Sequence, residues 1–269
     1  MTTLTLCGCG WLGKQLAAAN PDATLIGTTQ SADNFAALSD YNVRPLQFYL
    51  GDNSAPIAQA ASGSTVVLNI PPGARKKHLD PNFLPAMLAL IDDFFSCGAQ
   101  RLIFISTTAV YGEQDTTVTE ETPTDAVTPS GKAHVAIENH LMEHYRQQSA
   151  VFRLAGLVGP SRHPGRFLAG RQMDKGEQVV NLVHGEDVCR AINHWLAKPR
   201  YGEIFHLCSN EHPKRGDYYR DYALHWSLPP PEFNPDYSTL APSGKTIDAH
   251  KSWQKLGLTP TFASPYDML

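Results

Sequence analysis

Apolar and polar positions along the chain alternate between two periods. Thr3 to Cys7 reads as a short buried strand that runs into glycines, and Leu12 to Ala19 reads as a helix stopped by Asn20-Pro21. Thr24 to Gly27 and Leu46 to Leu50 predict a second and a third strand. Thr65 to Ile70 is almost continuously apolar, the pattern of a parallel strand covered on both faces, and Pro71-Pro72-Gly73 ends it. Leu84, Leu88, Ile91 and Phe95 recur at helical spacing within 83–96, and Arg101 to Ser106 is another buried strand. A helix over 130–147 and a sixth strand over Ala150 to Leu154 complete the alternation. The fold class is therefore α/β: a Rossmann-type, doubly wound parallel sheet with right-handed crossovers.

The texture changes beyond Gly159. A turn-rich, basic loop over 160–178 interrupts the pattern. It is followed by a strand (Val179 to Val183), a helix (Glu186 to Leu196) and a strand (Ile204 to Leu207). From Cys208 onward Pro, Tyr and short helical pieces dominate. The expected division is a dinucleotide-binding domain over 1–207 and a small C-terminal substrate lobe over 208–269.

The chemistry begins at Gly8-Cys9-Gly10-Trp11-Leu12-Gly13, a Gly-x-Gly-x-x-Gly run between a strand and a helix. The first glycine makes the turn and the second admits a pyrophosphate. The third lets the helix pack on the strand, and the helix N-terminus faces the anion. The end of the second strand, Thr28-Thr29-Gln30-Ser31, is where the adenosine ribose is expected. It offers neither a carboxylate to repel a 2′-phosphate nor an arginine to hold one, and its neutral hydrogen-bonding side chains tip the balance toward NADP over NAD. The expected cofactor-binding set is Gly8, Cys9, Gly10, Trp11, Leu12, Gly13, Thr28, Thr29, Gln30 and Ser31. Asp52, Ile70, Pro71 and Ala155, at later strand ends, complete it.

Composition narrows the function classes. Lys and Arg number 22 against 26 Asp and Glu, a formal net charge of −4, and the one basic cluster, Arg75-Lys76-Lys77, reads as a solvated loop, so nucleic acid is not an expected partner. Cys7, Cys9, Cys97, Cys189 and Cys208 are an odd, scattered set and read as free thiols. Without a basic leader or an apolar run of membrane-spanning length, a cytoplasmic location with no membrane partner is expected. His140 and His144 lie four apart with Glu143 nearby, but with no third ligand in the pattern no metal is expected. His184 and Asp187 read as caps of the helix that follows them.

With these pieces placed, the chain resembles the extended short-chain dehydrogenase/reductase superfamily, in its epimerase/dehydratase branch, and within it an atypical YeeZ-like bacterial subgroup. Ser106-Thr107-Thr108-Ala109-Val110-Tyr111-Gly112, Arg153 to Pro160 and the His184-Gly185-Glu186-Asp187 turn carry the likeness over most of the chain. So do the Gly10-Trp11-Leu12-Gly13 turn and the Arg162-His163-Pro164-Gly165-Arg166-Phe167 loop. The resemblance implies a nicotinamide cofactor and an assisting hydroxyl at Thr107. It places the superfamily's Tyr-x-x-x-Lys pair at Ser130 and His134, counted back from Glu138. Both chemical groups are replaced, and Cys7 stands where extended members usually carry their first glycine.

His134 could relay a proton in the lysine's place, and Tyr111 is a spare acid. Arg162, His163 and Arg166 are candidate ligands for a substrate phosphate or carboxylate. The expected function is an oxidoreductase or epimerase-like enzyme acting on a small polar or anionic substrate, with a homodimer as its candidate assembly. The alternative is a non-catalytic dinucleotide-binding sensor or regulatory protein.

Overall fold

The computed structural model describes residues 2–73 and 79–269. The Arg75-Lys76-Lys77 cluster therefore lies outside the described residues. In chain order the elements begin β1 (Thr3–Cys7), α1 (Trp11–Ala18), β2 (Thr24–Thr29), α2 (Phe35–Ser39), β3 (Val43–Gln47), α3 (Ala55–Ala60) and β4 (Thr65–Leu68). They continue α4 (Phe83–Ser96), β5 (Arg101–Thr107), β6 (Thr117–Val118), α5 (Pro129–His144), β7 (Ser149–Leu154) and β8 (Gly156–Val158). Then follow α6 (Pro164–Leu168), β9 (Gln172–Met173), β10 (Leu182–His184), α7 (Gly185–Ala197) and β11 (Ile204–Leu207). The chain closes with α8 (Arg215–His225), β12 (Glu232–Phe233), β13 (Thr246–Ile247) and α9 (His250–Leu256).

Seven strands form the expected parallel sheet in the order β11-β7-β5-β4-β1-β2-β3. The order reverses at β1, where the chain steps from β3 across to β4. In open α/β sheets such a switch point is where ligands sit, at the carboxyl ends of the strands.

Most predicted elements are present, and two are displaced. The third strand spans Val43–Gln47 and not Leu46 to Leu50. It tolerates Pro45 because β3 is the edge strand, so the missing N–H breaks no ladder on the open side. The expected strand over Val179 to Val183 is reduced to Leu182–His184. Val179 and Val180 donate their N–H groups elsewhere, to Ser243 and Pro213 carbonyls.

The chain divides into two compact units. Unit 1 comprises Met1–Val110, Thr124–Phe152 and Pro199–Ile204. Its core lies where the sheet side chains Val66, Leu68, Leu102 and Phe104 meet Met87, Leu90 and Phe94 of α4 and Ile137 and Leu141 of α5. Unit 2 comprises Tyr111–Pro123, Arg153–Lys198 and Phe205–Leu269, so the division falls at several points of the chain and not once after residue 207. The early segment 111–123 is fastened there by β6–β13 pairing, by the Gly244 N–H donating 2.7 Å to Asp115 and by the Lys251–Glu121 ion pair. Val158, Val180, Leu182, Tyr218 and Tyr219 form a core of this unit.

Candidate functional site

The β1–α1 turn is built so that each glycine has a different reason to be one. Gly8 has φ +90°, and a Cβ there would lie 2.3 Å from the Asn69 carbonyl oxygen. Gly13 makes room for Cys9: an added Cβ would sit 3.1 Å from the Cys9 sulfur. Gly10 alone faces open space, with nothing within 4 Å of an added Cβ. Helix α1 starts there with no side-chain cap and no acidic residue in its first turn. A helix N-terminus left uncapped by the protein, beneath a residue that leaves space, fits a pyrophosphate. Burial pushes the Cys7 and Cys9 thiols up to about 12 and about 11, so both stay protonated packing groups.

Thr28 has a different task from the one expected of it. It is buried, its hydroxyl accepts the Gly8 N–H at 2.7 Å, and its carbonyl accepts the Cys9 N–H at 3.0 Å. Through these two bonds it braces the turn. Thr29 Oγ1 accepts from Asn34 Nδ2 at 3.2 Å, and the Gln30 carbonyl accepts from Gln47 Nε2. The Ser31 hydroxyl caps a single 3₁₀ turn and donates 3.0 Å to the Asp33 carboxylate. Asp33 thus brings an exposed negative charge to the end of β2. It lies past Thr28 to Ser31, the segment that ribose spacing singles out, so spacing alone does not mark it.

Asp52 is exposed in the turn after β3, Ile70 packs against the unit 1 core, and Pro71 is exposed. Ala155 is a buried residue of unit 2 whose N–H donates to the Leu207 carbonyl at 3.0 Å.

Helix α5 opens with Thr128 as N-cap, accepting the Gly131 N–H, and Pro129 in its first turn. Gly131 lies against the Ala109 carbonyl, 3.1 Å from a would-be Cβ, which brings the start of α5 to the carboxyl end of β5. Ser130, His134 and Glu138, each four residues on, descend one face of the helix. Ser130 is half-buried, His134 is 6 % exposed and Glu138 is 2 % exposed, whereas Lys132 is exposed.

The His134 ring stacks on Phe104 of β5, with centroids 5.6 Å apart and planes at 29°. Its Nδ1–H donates 2.8 Å to the Ser130 carbonyl, which fixes the tautomer and leaves Nε2 as an acceptor. Burial holds the imidazole below its ordinary pKa, against the Ser130 carbonyl and the Glu138 charge, so it is neutral at pH 7. One turn on, Ser106 Oγ donates to the Glu138 carboxylate. Thr107 Oγ1 accepts the Ala109 N–H at 3.1 Å.

Tyr111, the spare acid expected from the sequence, is hydrogen-bonded within the fold. It is fully buried in unit 2, its hydroxyl lying 2.5 Å from both Arg153 Nη1 and His206 Nε2 and 3.1 Å from the Thr119 carbonyl. His206 Nδ1 in turn donates to the Asp248 carbonyl. His163 is likewise engaged within the fold. Its Nδ1 accepts the Gly165 N–H at 3.0 Å, capping α6, and its Nε2 donates 2.8 Å to the Tyr218 hydroxyl. The ring lies flat on Tyr222 at 3.8 Å, and burial, with the Arg166 charge, pushes its pKa down to about 4. The Pro that follows it is the signal that marks this cap.

Arg162 and Arg166 remain exposed. Arg162 Nε donates to the Leu157 carbonyl, and the Arg166 guanidinium lies 5.3 Å over the Trp226 ring. His184 caps α7 as expected, but Asp187 has become an anchor. Its buried carboxylate takes the N–H groups of Thr261 at 2.8 Å and Phe262 at 3.0 Å, together with Arg190. His140 is paired with Asp92 at 2.7 Å. Among the described residues no cluster of His, Cys, Asp and Glu has the arrangement of a metal site, and no helix is long and apolar enough to cross a membrane.

Comparison with known proteins agrees with this architecture. The model of the NAD dependent epimerase/dehydratase family matches residues 8–208. Protein YeeZ of Escherichia coli (strain K12) is 35% identical over 274 residues, covering 100% of this chain and 99% of that protein. A solved structure of a functionally unknown conserved protein from Silicibacter pomeroyi superposes with a TM-score of 0.79 at 23% identity, over 100% of this chain and 96% of that one. The UDP-glucuronic acid 4-epimerase of Bacillus cereus, solved with NAD, superposes with a TM-score of 0.79 at 16% identity, over 99% and 96% of the two chains. The phosphate-binding turn, the parallel sheet with its reversal at β1 and the family match over three quarters of the chain lead to one assignment: this chain belongs to the NAD dependent epimerase/dehydratase family.

Proposed function

We propose that this chain binds NAD on the Gly8–Gly13 turn and acts as an oxidoreductase or epimerase-like enzyme on a small polar substrate, with His134 as the proton acceptor. The observation that carries the cofactor reading is the open space over Gly10 at the uncapped start of α1. The solved Bacillus cereus epimerase, which shares this fold, carries NAD. Asp33 favours NAD over NADP, reversing the expectation drawn from Thr28 to Ser31, because its carboxylate at the end of β2 repels a 2′-phosphate.

When bound, the nicotinamide supplies the hydride chemistry. The chain supplies a neutral imidazole whose Nε2 can take a substrate hydroxyl proton, and the Ser130 and Thr107 hydroxyls orient that group.

A second reading, a dinucleotide-binding sensor, is favoured by the 6 % exposure of His134 and by Ser130 standing where the superfamily has tyrosine. Calorimetry with NAD, NADH, NADP and NADPH tests the cofactor, and a metabolite screen followed at the nicotinamide absorbance tests turnover. NAD binds at least tenfold more tightly than NADP, and Asp33→Asn closes most of that gap by removing a like charge. An unchanged preference in Asp33→Asn overturns the role of Asp33. If the chain is an enzyme, Ser130→Ala and His134→Ala each slow turnover by about 10²-fold or more with dinucleotide affinity retained. In a sensor both are silent.

A further inference from the structure

We propose that Glu138, gripped by the Ser106 hydroxyl, is a positioning residue for His134: a buried carboxylate one helical turn away that stabilises the proton taken up by the imidazole. This rests on the reading of His134 as the proton acceptor. It adds two residues that neither the glycine turn nor the Tyr-x-x-x-Lys comparison singles out as chemical.

Glu138 is 2 % exposed, and a carboxylate withdrawn that far from water is costly unless it is paired and hydrogen-bonded. Ser106, itself buried on β5, donates its hydroxyl to that carboxylate. Glu138 follows His134 by four residues, so both project from the same face of α5 onto β5, where His134 meets Phe104 and Glu138 meets Ser106. From its own helix the imidazole is held by the Ser130 carbonyl on Nδ1. From one turn away the Glu138 charge opposes the effect of burial on it. Lys132, the nearest cation along the helix, is exposed.

The consequence is a division of labour. The Ser130 carbonyl fixes which nitrogen carries the proton, Phe104 fixes the plane of the ring, and Glu138 keeps a buried imidazole basic enough to accept a proton. A buried histidine with nothing negative near it is a poor base at neutral pH, because its charged form has lost its hydration. A lysine at this position would bring its own charge, whereas an imidazole needs a carboxylate to hold the charge it acquires.

The test is a proton NMR titration of the His134 ring in the full-length, cofactor-free protein, in wild type and in Glu138→Gln, Ser106→Ala and Ser106→Thr. Glu138→Gln lowers the His134 midpoint by on the order of one pH unit. Ser106→Ala lowers it by less, and Ser106→Thr, which keeps the hydroxyl, restores it. A purely structural role for Glu138 leaves the midpoint unmoved, and a midpoint in Glu138→Gln within about 0.2 unit of wild type overturns the proposal. Should Glu138→Gln not fold, Glu138→Asp, which retracts the charge by one methylene, is expected to give a smaller fall in the same direction, and no fall overturns the proposal equally. Because the titration uses neither dinucleotide nor substrate, it separates this coupling from the functional reading. A protein that shows the coupling and binds no dinucleotide refutes the function alone.

Discussion

At the level of single residues, the glycines of the β1–α1 turn respond differently to the same insult. Gly10→Val places its side chain in open space that a cofactor would occupy, so the fold survives and dinucleotide binding is lost. Gly8→Ala drives a Cβ to 2.3 Å from the Asn69 carbonyl at φ +90°, which the backbone cannot absorb without moving β4 away from β1. We expect Gly10→Val to melt within a few degrees of wild type with no calorimetric binding, and Gly8→Ala to lose about 2 kcal/mol or more of stability. A Gly10→Val protein that still binds NAD would remove the turn from the site. Thr28 belongs to the same story. A threonine at a strand end reads equally well as a ribose ligand or a brace, and only the Gly8 N–H at 2.7 Å distinguishes the two.

At the level of elements, Asp187 shows what one buried carboxylate can organise. It joins the first turn of α7 to the 261–262 segment through two backbone N–H bonds. Asp187→Asn keeps the shape but loses the charge and replaces one acceptor oxygen with a donor facing those N–H groups. It is expected to cost about 2–3 kcal/mol and to expose the 259–269 segment to protease, whereas Asp267→Asn, at the last capping turn, costs less than about 1 kcal/mol. Equal stability of Asp187→Asn and wild type would show that the anchor is idle.

The elements themselves were largely legible, because buried parallel strands such as Arg101–Thr107 and the helix Phe83–Ser96 carry their own periodicity. The third strand was not, because an edge position relaxes the apolar pattern and admits Pro45. The glycine turn could be read from spacing, and the Ser130–His134 face from four-residue periodicity. What spacing could not show was commitment. Tyr111, His163 and Thr28 look available in the sequence and are already bonded in the fold, whereas Asp33, Ser106 and Glu138 looked incidental.

For the molecule as a whole, several neutral histidines set how stability depends on pH. Burial lowers the pKa of His134, His163, His184, His206 and His212, with His163 reaching about 4. In the unfolded chain each titrates near ~6.5. Above that value both states are neutral and nothing is lost. As pH falls below it the unfolded chain takes up protons that the folded one refuses, so stability declines until the folded pKa is reached. For His163 the window runs from about 6.5 to about 4, an effect of roughly 3 kcal/mol at its lower end. Melting temperatures recorded between pH 7.5 and about 4.5 should fall steadily. His163→Asn keeps a cap for α6 and does not titrate, so it should flatten part of that decline. A melting temperature that does not change across this range would show that these imidazoles take up protons in the folded protein as readily as in the unfolded chain.

The Asp187 anchor also has a consequence in time. The carboxylate and its partner at Thr261 are 74 residues apart. At roughly 5–20 residues per second of translation, about four to fifteen seconds separate their synthesis. Throughout that interval Asp187 has no backbone N–H from 261–262 to receive it, and the His184 ring lacks the Phe262 face it packs on at 3.7 Å. Unit 2 therefore cannot reach its final packing while it is being made, although most of unit 1 is encoded before residue 153. Nascent chains arrested before Thr261 should carry an α7 open to protease and to chaperones that hold exposed apolar helices, and chains given a C-terminal extension long enough for Phe262 to clear the ribosome before arrest should be protected.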